Sequence, residues 1–134
     1  MIWESAPYKE ELQKLAKDFV SWEKRKRLNS ADFVRIEMTT FSSAYLIRKL
    51  LDAGKLTDRT RDSRVRVKMS KNIKNVTRLN WHRIEELYDF SLSHSEEITI
   101  RDLCNQLIHS YVFVVALNKS GGLGALYFAS DKQR

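Results

Sequence analysis

An α+β fold, a bundle of about four helices packed on a small antiparallel sheet, follows from three features of the sequence. Leu12, Leu15, Ala16, Phe19 and Trp22, and then Phe33, Ile36, Thr40, Phe41, Ala44, Ile47, Leu50 and Leu51, recur at helical spacing. Arg64-Val65-Arg66-Val67-Lys68-Met69 alternates strictly with a period of two. Tyr111 to Leu117 and Leu123 to Ala129 are β-rich runs on either side of Lys119-Ser-Gly-Gly122, the composition of a C-terminal β-hairpin. With 134 residues, 43% hydrophobic and 31% charged, residues 1–134 read as one globular domain.

Pro7-Tyr8-Lys9-Glu10-Glu11 opens the first helix, with acids where the macrodipole favours them. It runs into Lys24-Arg25-Lys26-Arg27, cations suited either to a solvated helix end or to a phosphate contact. Asn29 or Ser30 caps the second helix, with Asp32 near its start, and Gly54 supplies its left-handed end. This helix, over about 30–53, is expected to form the spine. Residues 56–63 read as a polar connection, and the basic strand 64–69 is expected to join the hairpin as a third strand. Asn80 is expected to cap a short helix from Trp81 to about Phe90, with a polar connection at 91–97. Thr99-Ile100-Arg101-Asp102 has capping-box spacing, with Asp in place of Glu or Gln. The helix it starts should end near Ser110. Trp3 and the Tyr127-Phe128 strand fit a dimer contact or the core.

Charge narrows the partners. The net charge is +7, and Lys55 to Arg83 holds ten Lys or Arg against Asp58 and Asp62, a net of +8. An anionic partner, RNA or another polyanion, is therefore expected there, with Arg64, Arg66, Lys68, Lys71 and Lys74 as its contacts. Aromatic residues for base stacking do not interleave with these cations, and an edge strand guarded by charge reads equally well. No apolar run approaches the roughly 18 residues that span a bilayer. A single cysteine precludes an internal disulfide, and no targeting pattern opens the sequence, so a cytoplasmic setting is expected. The three histidines fall on different expected elements without metal-ligand spacing; neither a metal nor another cofactor is expected.

In the fourth helix, Ile100, Leu103, Cys104, Leu107, Ile108 and Tyr111 form an apolar stripe. Arg101, Asn105 and His109 form a polar row along its flank. Such a row can orient an imidazole for acid–base work on a phosphodiester, with Arg101 countering charge. The alternative is a structural network in which these residues satisfy each other and the start of the following strand.

Cys104-Asn105-Gln106-Leu107-Ile108-His109 resembles the helical motif of HEPN domains, helical-bundle proteins named for higher eukaryote and prokaryote nucleotide binding. The motif in that family is Arg, four to six residues, then His, often with Asn directly after the Arg. The resemblance implies RNA binding or metal-independent RNA cleavage, usually by a homodimer with facing motifs. Asn105 and His109 match the family's Asn and His positions, while Cys104 stands where the Arg belongs and Arg101 lies one turn earlier. That departure points to a degenerate or non-catalytic relative. The alternative is a non-enzymatic protein-interaction module whose Arg-Asn-His row is structural.

Overall fold

A computed structural model describes residues 2–130. The order is α1 (Ala6–Lys24), α2 (Ser30–Asp52), α3 (Asp58–Arg61), β1 (Arg64–Asn72), α4 (Ile84–Leu87), β2 (Tyr88–Thr99), α5 (Ile100–Ile108), β3 (Ser110–Leu117) and β4 (Leu123–Ser130). Three helices carry the helical layer; α3 and α4 are single turns.

The α2 helix begins as its sequence dictates. Asn29 accepts from the Asp32 amide at 2.9 Å, and the Asp32 carboxylate accepts from the Asn29 amide at 2.9 Å, a complete capping box. Arg25 also reaches Asp32 at 3.0 Å, so one carboxylate ties the end of α1 to the start of α2. Gly54 takes the expected left-handed conformation, φ 65°. Between these ends Ile36 and Leu50 are completely enclosed. Burying a side chain of that size contributes about 1.5–3 kcal/mol.

The hairpin β3–β4 is antiparallel, with Phe113 opposite Phe128 and Val115 opposite Leu126. This inner face meets the helices: Phe113 packs on Phe41 with ring centroids 5.0 Å apart, and Val115 and Leu126 join Trp22, Leu28 and Ile36. Val112 and Ala129, on the outer face, pack under Val76 and Leu87. The hairpin thus sits between two small cores. Its turn grips the end of α1, where the Asn118 carboxamide donates to the Glu23 carbonyl at 2.9 Å.

Several sequence expectations need correction. The basic strand does not join the hairpin; β1 pairs antiparallel with β2 in a separate two-stranded sheet. The expected connection at 91–97 lies within β2, where Glu97 opposes Arg66 and the Ser70 and Ser93 hydroxyls meet at 2.7 Å. Those partners are distant in sequence, so local periodicity does not reveal the strand. The expected helix from Trp81 to Phe90 shrinks to the single turn α4. The Leu87 carbonyl, which a longer helix needs, accepts instead from the Ile73 amide at 2.8 Å and the Asn72 carboxamide at 3.3 Å. Asn80 caps no helix; its side chain accepts from the Thr77 amide at 2.7 Å and donates to the Asn75 carbonyl at 3.1 Å. Residues 56–63 include the turn α3, capped by Thr57, whose hydroxyl accepts from the Thr60 amide.

The β1–β2 ribbon is anchored at both ends and open along its middle, with Phe90 to Glu97 all exposed. The accessible surface is 9582 Å². A compact protein of 15.8 kDa would expose about 7300 Å².

Candidate nucleic-acid interface

Two constellations from the sequence can be placed. The first is the basic strand. Cross-strand partners share a face of an antiparallel pair, so Arg64, Arg66 and Lys68 lie beside Thr99, Glu97 and Ser95 respectively. All three cations are exposed, whereas the alternating Val65, Val67 and Met69 are half-buried. Strand geometry spaces the cations about 6.8 Å apart, comparable with successive phosphates on an extended single strand. The Ser95 and Thr99 side chains add hydroxyls to the same face. Glu97 is the one opposing charge on it, 3.8 Å from Arg66. An ion pair this long and exposed is worth about 0–1 kcal/mol, so a phosphate can replace it.

The other two basic candidates are separated from this row. Lys71 lies beyond an irregularity in the pairing, opposite Asp89, and Lys74 lies past the end of the strand. Both are exposed.

The second constellation is on α5. Thr99 caps the helix, its hydroxyl accepting from the Asp102 amide at 3.1 Å. Cys104 is 2% exposed at the center of the apolar stripe. Burial pushes its thiol pKa up, against smaller opposing effects of Arg48 and Arg101. A buried thiol held protonated is a poor nucleophile.

Arg101 and Asn105 turn toward α2. Arg101 Nη1 lies 2.9 Å from Asp52 Oδ1, and Arg48 Nε lies 3.1 Å from the same oxygen. Arg48 Nη1 donates to Asn105 Oδ1. The result is a chain, Arg101–Asp52–Arg48–Asn105, that ties the two helices together. His109 is not part of it. It is the C-cap of α5, its amide donates to the Asn105 carbonyl at 3.0 Å, and its side chain is exposed. Among the described residues, the imidazole has no hydrogen-bond or ion-pair partner. The structure therefore brings Arg101 and Asn105 together with Arg48 and Asp52, and leaves His109 apart.

Arg48 and Asp52 were not among the candidates drawn from the sequence. Their i, i+4 spacing on α2 reads as an ordinary surface ion pair, and nothing local shows that α5 lies alongside. The two guanidinium groups hold the Asp52 carboxyl below its ordinary value, the Arg101 hydrogen bond being the larger cause and Arg48 the next. A carboxylate with a lowered folded-state pKa stabilizes above its unfolded value and loses that contribution as pH falls through the lowered one. Melting temperature of the wild type should therefore carry a Asp52-dependent fall only below the ordinary carboxylate range. An Asp52→Asn variant should lack that part of the acid dependence, as thermal melts between pH 2 and 7 would show.

Among the described residues, no group of three or more His, Cys, Asp or Glu is arranged to hold a metal ion. Among the same residues, no helix is long and apolar enough to cross a membrane. Comparison with protein-family models, with curated proteins and with solved structures finds no match for this chain.

Proposed function

We propose that this chain is a non-catalytic RNA-binding module that holds the backbone of a single strand on the outward face of the β1–β2 ribbon. The observation that carries the reading is the placement of Arg64, Arg66 and Lys68 on one exposed face, with Val65, Val67 and Met69 half-buried on the other. The net charge of +7 and the HEPN-like motif at 104–109 favor RNA among polyanions. Three features of α5 weigh against cleavage. Cys104 occupies the place of the motif's Arg, Arg101 and Asn105 are engaged by α2, and among the described residues none hydrogen-bonds to the His109 ring.

Fluorescence-anisotropy titration of a labeled oligo-U twenty-mer across a salt series tests this reading. Three to five phosphate contacts correspond to a log–log slope of about −2 to −3.5. The RNA should be recovered intact, and His109→Ala should bind as the wild type does, with stability within about 0.5 kcal/mol. A flat salt response, or no binding at low salt, overturns the proposal; cleavage abolished by His109→Ala overturns its non-catalytic part.

A second reading, a protein-interaction module acting as a homodimer, draws on α2. Val34, Met38 and Tyr45 fall at i, i+4 and i+11 on its solvent face and are each more than half exposed. Sedimentation equilibrium of the wild type and Met38→Glu separates it: a dimer dissociated by the variant supports the second reading.

A further inference from the structure

The outer face of the hairpin is covered at one end only. Val112 and Ala129 lie under Val76 and Leu87. Farther along, Val114 and Tyr127 floor an open groove of about 580 Å³. Phe90, delivered by the ribbon, forms one wall, its ring 5.5 Å from that of Tyr127 and inclined at 68°. His82, Arg83, Glu85 and Glu86 form the other. Both residues are 38% exposed. Neither glutamate carboxylate has a hydrogen-bond or ion-pair partner among the described residues.

The chemistry of these walls selects a ligand class. Two aromatic rings offer π-faces, two adjacent carboxylates offer acceptors only, and one guanidinium offers donors to an anion. Glu85 and Glu86 are exposed to water, so an aliphatic ligand would gain nothing from their carboxylates. A small free anion would meet two negative charges against one positive. A planar heteroaromatic ring with N–H groups along its edge satisfies the rings and the carboxylates together, and a phosphate attached to it satisfies Arg83. Among the RNA bases guanine fits best, because its N1–H and N2–H lie side by side and can both donate to one carboxylate. Uracil presents a single N–H between two carbonyl oxygens, which a carboxylate repels.

We propose that this groove is a guanine-selective base site for single-stranded RNA, a proposal that rests on the RNA-binding reading above. The ribbon connects the two regions: Phe90 follows Asp89, which pairs with Lys71 beyond the Arg64–Lys68 row. The same ribbon therefore carries the basic row and one wall of the groove. The sequence lacked interleaved aromatics near the cations because the fold supplies them from β2 and β4. Stacked bases on such platforms contribute sequence-tolerant affinity; the carboxylates add the preference.

Binding of two labeled ten-mers, oligo-U and oligo-U with one central guanine, tests the site at matched salt. The guanine-containing strand should bind the wild type about tenfold tighter. Glu85→Gln with Glu86→Gln should remove that difference, although loss of two negative charges should strengthen oligo-U binding. Phe90→Ala should weaken the guanine strand while retaining the salt slope. Equal affinities for the two strands in the wild type, with a normal salt slope, overturn the base site and leave the basic-face reading intact. Absence of binding to either strand overturns both.

Discussion

Replacing Arg64, Arg66 and Lys68 together with glutamate should abolish RNA binding near 150 mM salt while leaving the fold intact. Each side chain is exposed, and among the described residues the three make one ion pair, the long contact of Arg66 with Glu97. Removing them therefore costs little packing, and reversal changes the charge of one face by six. The neutral version, with glutamine at all three positions, gives the quantitative form. Three lost phosphate contacts should reduce the salt slope by about 2 on a single strand. Far-UV circular dichroism should be unchanged in both variants. Retained affinity and slope in the glutamine variant would show that the RNA lies elsewhere.

Gly122→Ala should be severely damaging, lowering stability by about 3 kcal/mol or more. A Cβ at this position would lie 2.5 Å from the Trp22 carbonyl oxygen, 2.6 Å from that of Arg25 and 2.7 Å from that of Glu23. These are backbone atoms at the end of α1 and cannot turn aside as a flexible side chain would. The turn is also fixed by Asn118, whose carboxamide oxygen accepts from the Gly122 amide at 2.9 Å. Relief of the clash would detach the hairpin from the α1–α2 connection, opening the core around Trp22, Leu28 and Leu123. Gly54→Ala is the contrast, since nothing lies within 4 Å of its Cβ position and only the positive φ opposes the change. That strain costs about 1–2 kcal/mol. Thermal melts of the two variants check the order, and a wild-type melt for Gly122→Ala would contradict the docking of this turn.

What the sequence revealed follows the range of the interactions involved. Asn29, Asp32 and Gly54 set the ends of α2 through contacts within four residues, so the helix was legible almost to its limits. The hairpin was legible for the same reason, with its turn and both β-rich runs adjacent in sequence. The strand at 91–97 was not, because Ser93 and Glu97 are held by Ser70 and Arg66 on the far side of a connection. The helix expected from Trp81 failed when Ile73 and Asn72 captured the Leu87 carbonyl.

The candidate site divides along the same line. The alternation at 64–69 correctly placed three cations on one face, since strand geometry alone fixes which side chains align. The alignment of Arg101, Asn105 and His109 was equally visible. Their separate fates were not: Arg48 and Asp52 draw Arg101 and Asn105 toward α2, while the helix ends at His109. The groove depends on Phe90, Glu85 and Tyr127 meeting from three elements, a juxtaposition that no local pattern contains.

The most direct measurement is a backbone-amide NMR titration of the labeled protein with the oligo-U twenty-mer. Shifts concentrated at Arg64–Lys68 and Ser95–Thr99, with Asn105 and His109 unmoved and the RNA intact, are the expected result. Shifts centered on Arg101, Asn105 and His109, with the ribbon unchanged, would contradict it.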